Sequence, residues 1–268
     1  MSNKLSVSVI LPIKSAKTRD FEEYFNKAIE SIKNQKVEIE ELLIVHTPEE
    51  ELVNKINSYD FGTLPVTKLV WDKQPNYSAQ VNYGIKNAKG EWVSLFEFDD
   101  EYSNIWFDNV LKYSKAYPNV QMFLPVVVET DEKGMFAGFT NEATFAANFT
   151  QEIGFLSNET LQDYQNFQTA GCVFKKEILD DFGGFKESIK LTFIYEFLLR
   201  LTYNSVSIMT IPRLGYKHTN LREGSIFWNY KYGEDKMIDE EVKFWIQTAK
   251  KEYFFTDDRV IKYQSENA

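Results

Sequence analysis

Trp92-Val93-Ser94-Leu95-Phe96-Glu97-Phe98-Asp99-Asp100-Glu101 is the stretch on which the reading of this chain turns. The run Trp92 to Phe96, rich in β-branched and aromatic residues, reads as a buried strand, and four carboxylates follow within the next five residues. So much like charge at a strand end costs self-repulsion unless a cation offsets it. Mg²⁺ or Mn²⁺ suits such a turn, because hard cations take oxygen ligands and often keep only one or two protein carboxylates, with phosphate and water supplying the rest. Taken alone, the run reads equally well as an acidic surface loop. Its neighbours decide between the two.

Upstream, short β-rich runs alternate with stretches of helical period, the pattern of a parallel sheet with crossover helices. Leu5 to Leu11, Leu42 to Val45, Lys68 to Trp71 and Trp92 to Phe98 read as strands. Phe21, Tyr24, Phe25, Ala28, Ile29 and Ile32 fall on one helical face, with Thr18 or Asp20 placed to cap it. A second helix is expected from Pro48, with Glu49, Glu50 and Glu51 in its first turn, and a third carries Val81, Ile85 and Ala88. Such a unit resembles half of a doubly wound nucleotide-binding fold, whose ligands lie beyond the carboxyl ends of the strands. After residue 118 the pattern changes. Met122 to Thr130 and Met135 to Phe139 flank a hairpin turn at Asp131 to Gly134, Thr169 to Phe174 reads as a further strand, and Leu191 to Tyr203 as a buried helix. The sheet is therefore expected to be mixed. A last helix carries the stripe Ile238, Val242, Trp245, Ala249 and Tyr253, best read as packing on the body of the domain.

Bulk properties narrow the function. With 268 residues, 43% of them hydrophobic, the chain can bury a large core without disulfides, and its one cysteine, Cys172, cannot form an internal one. A net charge of -10 leaves no broad basic face, which argues against a nucleic-acid partner. No apolar run approaches the ~20 residues of a membrane span. The start, Met1-Ser2-Asn3-Lys4, leads into a strand-like run without the apolar core of a signal peptide, so a cytoplasmic location is expected. On that expectation the glycosylation-like sequons at Asn76, Asn148 and Asn158 are chance occurrences.

A set of ordered segments resembles the inverting glycosyltransferases of family 2, which have the GT-A fold. Ser8-Val-Ile-Leu-Pro-Ile-Lys14 is similar to their opening strand, Ser31-Ile-Lys-Asn-Gln35 to a helix end, and Glu41-Leu-Leu-Ile-Val45 to the second strand. Ser78-Ala-Gln-Val-Asn-Tyr-Gly84 and Ala88-Lys-Gly-Glu-Trp-Val93 resemble the helix and strand leading into the family's Asp-x-Asp-Asp turn. Asp181-Phe-Gly-Gly-Phe185, Leu199-Arg-Leu201, Tyr216-Lys-His218 and Arg222-Glu-Gly-Ser225 resemble the acceptor-side and closing motifs. The match runs in order from about residue 5 to 226, more specific than any single motif.

The resemblance implies an α/β fold of GT-A type, a mixed and mainly parallel sheet flanked by helices. Residues 1–226 would form the glycosyltransferase domain, its donor half ending near 118, with 227–268 a helical extension packed on it. It implies transfer of a sugar from a nucleoside diphosphate donor, most often UDP-linked, to a hydroxyl of a glycan or other acceptor, with Mn²⁺ or Mg²⁺. Pro12, Ile13 and Lys14 would lie along the base and ribose. Asp99 would bind the metal, Glu97 would face the ribose and Asp100 would support the turn. His218 would contact metal or diphosphate, Lys217 would neutralise diphosphate charge, and Asn82 and Gly84 are further candidates, Gly84 equally readable as a close-packing glycine.

Two positions depart from the family. His46-Thr47 stands where an Asp usually holds the base, which implies altered nucleotide recognition. Phe193 and Ile194 stand where the Glu-Asp pair containing the catalytic base falls, and neither takes a proton. Glu196 is the remaining candidate base, and equally a structural acid paired with Arg200 at i,i+4 spacing. The sequence thus supports a metal-dependent inverting glycosyltransferase, or a degenerate relative that binds nucleotide sugar or glycan without efficient turnover. A nucleotidyltransferase fits less well, since Lys14-Ser-Ala-Lys17 has no glycine for a phosphate loop.

Overall fold

A computed structural model describes residues 4–142 and 154–251. Strand β1 (Val7–Ile13) is buried along its whole length. Val7, Val9, Leu11 and Ile13 enter one core, whereas Ile10 enters another, as expected of a strand with helices on both faces. Strand β2 (Glu41–His46) repeats the pattern, Leu42 and Ile44 facing the first core and Leu43 and Val45 the second. With β3 (Val66–Val70) and β4 (Trp92–Leu95) they form a wholly parallel run in the order β3-β2-β1-β4. Helices α1 (Phe21–Lys33) and α2 (Glu50–Ser58) fill the first core with Phe21, Phe25, Ile29, Leu52 and Ile56. Helix α3 (Tyr77–Asn87) fills the second with Val81 and Ile85. A Cβ on Gly84 would lie 2.5 Å from Ile10 Cγ2, so glycine is what lets α3 sit this close to β1.

Glu41 ties the parallel half together from within. Its carboxylate, 2% exposed, accepts from Ser8 Oγ on β1, Thr67 Oγ1 on β3 and the backbone N–H of Lys89, which precedes β4. Burial alone would raise its pKa, but these donors and the Lys89 ammonium outweigh it and hold the carboxyl below its ordinary 4.5.

Beyond β4 the sheet continues through β8 (Val173–Lys175), β6 (Met122–Thr130), β9 (Ile208–Thr219) and β5 (Glu101–Tyr102), with β7 (Phe136–Thr140) hairpinned onto β6. Only β6 and β9 pair in parallel here, so the sheet is mixed, with its parallel run in the first hundred residues. Helix α4 (Trp106–Ala116) covers the first core, and α7 (Phe193–Tyr203), buried on nearly all sides, covers the second. Shorter helices α5 (Asn158–Asp163), α6 (Ile178–Phe182) and α8 (Ile226–Tyr232) precede the final α9 (Asp239–Lys250). In helix α9, Ala249 is buried in the second core, and Trp245 O accepts from Thr192 Oγ1. Ile238 is 60% exposed at its start, and Tyr253 lies outside the described residues.

Some local expectations are corrected. Asp20 holds the cap position of α1 in a left-handed conformation, φ 56, and its side chain makes no cap hydrogen bond. Helix α2 begins at Glu50 rather than at Pro48, and Glu49 instead accepts from Ala16 N in the loop after β1. The hairpin turn forms as read, with Asp131 Oδ1 accepting from Lys133 N and Met135 N. The Asn76 side chain caps α3, and Asn158 is 2% exposed with its amide bonded to Leu199 O; Asn148 is outside the described residues.

Candidate functional site

The acidic run leaves β4 as a tight turn, closed by Asp100 N donating to Glu97 O. What fixes it comes from β9, more than a hundred residues later. Thr219 N donates to Asp100 Oδ1 at 2.9 Å and Thr219 Oγ1 to the backbone oxygen of Asp99 at 2.7 Å. Tyr216 Oη accepts from Glu97 N, its ring packed against Phe96 and Tyr102 and over Gly171, where a Cβ would lie 2.3 Å from the ring.

Each carboxylate of the run meets a different fate. Asp99 is buried and pairs with Arg222, Nε to Oδ2 at 2.5 Å, the guanidinium lying 4.9 Å from the Phe98 ring centre. Glu101 pairs with Lys217, Nζ to Oε1 at 2.8 Å. Asp100 faces His218, whose Nδ1 lies 3.0 Å from Oδ2 and 3.2 Å from Oδ1. Glu97 has no salt bridge among the described residues. Ligand atoms of Glu97, Asp100 and His218 all lie within 4.8 Å of one another, so these three form the group able to hold a metal ion.

Electrostatics follow from the crowding. Burial and then the Asp100 charge push the Glu97 carboxyl up to about 8. Burial would lower the His218 imidazolium, but Asp100, by charge and hydrogen bond, with Glu97 and Asp99, pushes it up to about 10. Asp99 is raised by burial and by Asp100, against the pull of Arg222. The phenol of Tyr77 is held well above its ordinary 10 by burial first and then by the Glu97 charge. Its ring lies 5.5 Å from that of Phe193, which stacks on Phe227 at 6.0 Å.

The other sequence candidates divide. Pro12, Ile13 and His46 are buried at the carboxyl ends of β1 and β2, where Ile13 pairs with His46, and Lys14 is exposed just beyond. His46 Nδ1 lies 2.8 Å from Thr47 O, and Thr47 Oγ1 donates to Lys14 O. Asn82 is engaged elsewhere: its amide brackets Phe185, accepting from its N–H and donating to its C=O. Lys217 and His218 are consecutive on a strand, so they point to opposite faces, Lys217 to Glu101 and only His218 to the metal-capable group. Glu196, 1% exposed, lies in the fork of Arg200, Nε to Oε1 and Nη2 to Oε2 both at 3.0 Å, with Lys186 Nζ 3.0 Å from Oε1. Arg200 also donates to the carbonyls of Phe182, Gly183 and Gly184. In this geometry Glu196 holds the arginine that pins the turn after α6.

Sequence reasoning gave no role to Arg222, Thr219 or Tyr77. Arg222 sat inside a quoted motif, which was the available signal; that it would pair with Asp99, 123 residues away, had none.

A relative, the minor teichoic acid biosynthesis protein GgaB of Bacillus subtilis (strain 168), is 31% identical over 115 residues, 42% of this chain and 12% of GgaB. The crystal structure of S. aureus TarS 1-349 superimposes with a TM-score of 0.61 at 16% identity, covering 80% of this chain and 60% of that one. Its complex with UDP-GlcNAc gives 0.60 at 18% identity, over 83% and 60%. The chain thus spans well under two thirds of these relatives, and the structural likeness establishes the GT-A fold. The model of glycosyl transferase family 2 matches residues 8–182, most of the chain, and the protein belongs to that family.

Proposed function

We propose that the protein is an inverting, metal-dependent glycosyltransferase that takes a UDP-linked sugar and passes it to a hydroxyl of a glycan or other acceptor. The observation that carries the reading is the convergence of Glu97, Asp100 and His218 at the carboxyl end of β4. Ligands of open α/β sheets bind at that end. The donor set fits Mn²⁺ or Mg²⁺: two carboxylates and an imidazole. These three residues would hold the ion, with Asp99 kept for Arg222. When bound, such a cation offsets the charge of a diphosphate leaving group. Around it Ile13, Lys14 and His46 would line the base and ribose, and Tyr77 would border the sugar. Two structural neighbours support the donor: TarS 1-349 was crystallised with UDP and with UDP-GlcNAc.

A thermal-shift screen of UDP, GDP and UDP-sugars with and without Mn²⁺, followed by donor hydrolysis on any hit, tests the reading. Stabilisation by a uridine nucleotide that needs the metal supports it; no nucleotide response defeats it.

One observation favours a second reading, a protein that binds the donor without efficient turnover. On the resemblance, Phe193 and Ile194 would stand in the place of the family's acidic pair, and Glu196 nearby is paired with Arg200 and Lys186. In that case metal-dependent stabilisation appears without hydrolysis or transfer.

A further inference from the structure

An acid outside the matched motifs shares a sheet face with His218 of the metal-capable group. Glu129 lies on β6 and is in parallel register with His218 on β9. Residues paired in this way project from the same face of a sheet, so the Glu129 side chain shares the face of the metal-capable group. The ladder between β6 and β7 shifts register between Glu129 and Thr130, an irregularity of the kind that re-aims a side chain.

The surroundings of Glu129 differ from those of the acids described above. Asp99, Asp100, Glu101 and Glu196 each face a cationic side chain. Glu129 is half-buried and makes no ion pair among the described residues. Two neutral amides hold it: Asn220 Nδ2 donates to Oε2 at 2.9 Å, and Gln168 Nε2 reaches Oε1 at 3.4 Å. Those amides are themselves fixed. Gln168 Nε2 also donates to Thr140 Oγ1 at 2.6 Å, and its backbone is clamped by the buried Asn141, which accepts from Gln168 N and donates to Gln168 O. Asn220 N extends the strand ladder to Thr130 O. Such a network orients a carboxylate without neutralising it, and that is the condition a general base requires.

Resting on the glycosyltransferase reading above, we propose that Glu129 is the proton acceptor of this protein, in place of an acid at Phe193 or Ile194. The acceptor hydroxyl gives its proton to a Glu129 carboxylate oxygen as its own oxygen bonds to the anomeric carbon. The bond from that carbon to the diphosphate oxygen breaks, and the nucleoside diphosphate leaves with the electron pair.

The test uses the full chain with Mn²⁺ and UDP-GlcNAc, UDP-glucose and UDP-galactose, with water as acceptor. Wild-type hydrolysis is expected with one of these donors. Glu129→Gln should then lower turnover by about 10²- to 10⁴-fold while the donor dissociation constant moves less than about twofold. Formate should restore part of the activity of Glu129→Ala, which a merely structural role would not allow. If either substitution unfolds the chain, Gln168→Ala, which keeps the acid but loosens it, should lower turnover about tenfold without formate rescue. Turnover within about threefold of wild type in Glu129→Gln, or parallel loss of donor binding and turnover, overturns the proposal. Donor binding by the wild type with no hydrolysis overturns it too and leaves the binding reading intact. No nucleotide response at all removes the donor reading itself.

Discussion

Arg222 and Asp99 show what a residue's identity can and cannot say. The sequence presents four acids within five residues, and the family likeness points to Asp99 as the metal ligand. Which acid is already neutralised depends on a cation 123 residues downstream, and no local pattern encodes that. If Asp99 is structural, Arg222→Ala should cost about 3–5 kcal/mol by leaving a buried carboxylate unpaired. The double variant Asp99→Asn/Arg222→Met should recover much of that loss and still show Mn²⁺-dependent binding of UDP, whereas Asp100→Asn should not. Urea unfolding and calorimetry read both outcomes; loss of metal response in the double variant would return Asp99 to the ligand role. Glu41 makes a second prediction at this scale. Its carboxyl titrates below 4.5 in the folded chain, so its contribution is fully present above about pH 4.5 and is lost as pH falls through the depressed value. Glu41→Gln should lower stability at pH 7 by about 1–3 kcal/mol and flatten the acid limb of a stability profile below pH 4.5.

At the scale of elements, the strands and helices of the first hundred residues were legible because each shows its period plainly. Strand β9 was not. Pro212, Arg213 and Leu214 are exposed in its middle, and its register with β6 shifts opposite them, between Pro125 and Val127, so neither alternation nor a continuous apolar run marks it. Yet this strand carries Tyr216, Lys217, His218 and Thr219 to the acidic turn. Helix α7 was legible as a buried helix, but whether its Glu196 served chemistry or packing was not, because the carbonyls that Arg200 holds lie on another element. Glu196→Ala is therefore expected to destabilise the chain by about 3–5 kcal/mol through the stranded Arg200. Any hydrolysis by the variant should scale with its folded fraction; a fall in kcat for fully folded protein would reinstate Glu196 as a base.

For the molecule as a whole, the sheet order β3-β2-β1-β4-β8-β6-β9-β5 brings β5 and the acidic turn from one half against β9 from the other. Ligands that bind this junction stabilise the entire fold by mass action. The Mn²⁺–UDP complex, at about 100 times its dissociation constant, should add about 2.7 kcal/mol, whereas UDP without metal should add far less; equal shifts would separate the nucleotide from the metal-capable group. Among the described residues no helix is long and apolar enough to cross a membrane. The late arrival of β9 has a consequence for a chain made from its amino end. The four parallel strands β1 to β4 and the acidic turn leave the ribosome while Lys217, His218 and Arg222 are still unmade. Until those three emerge, the turn holds four negative charges whose cationic partners do not yet exist. The amino-terminal half is thus expected to stay loose at this corner during synthesis and to lock only as residues 216–222 dock.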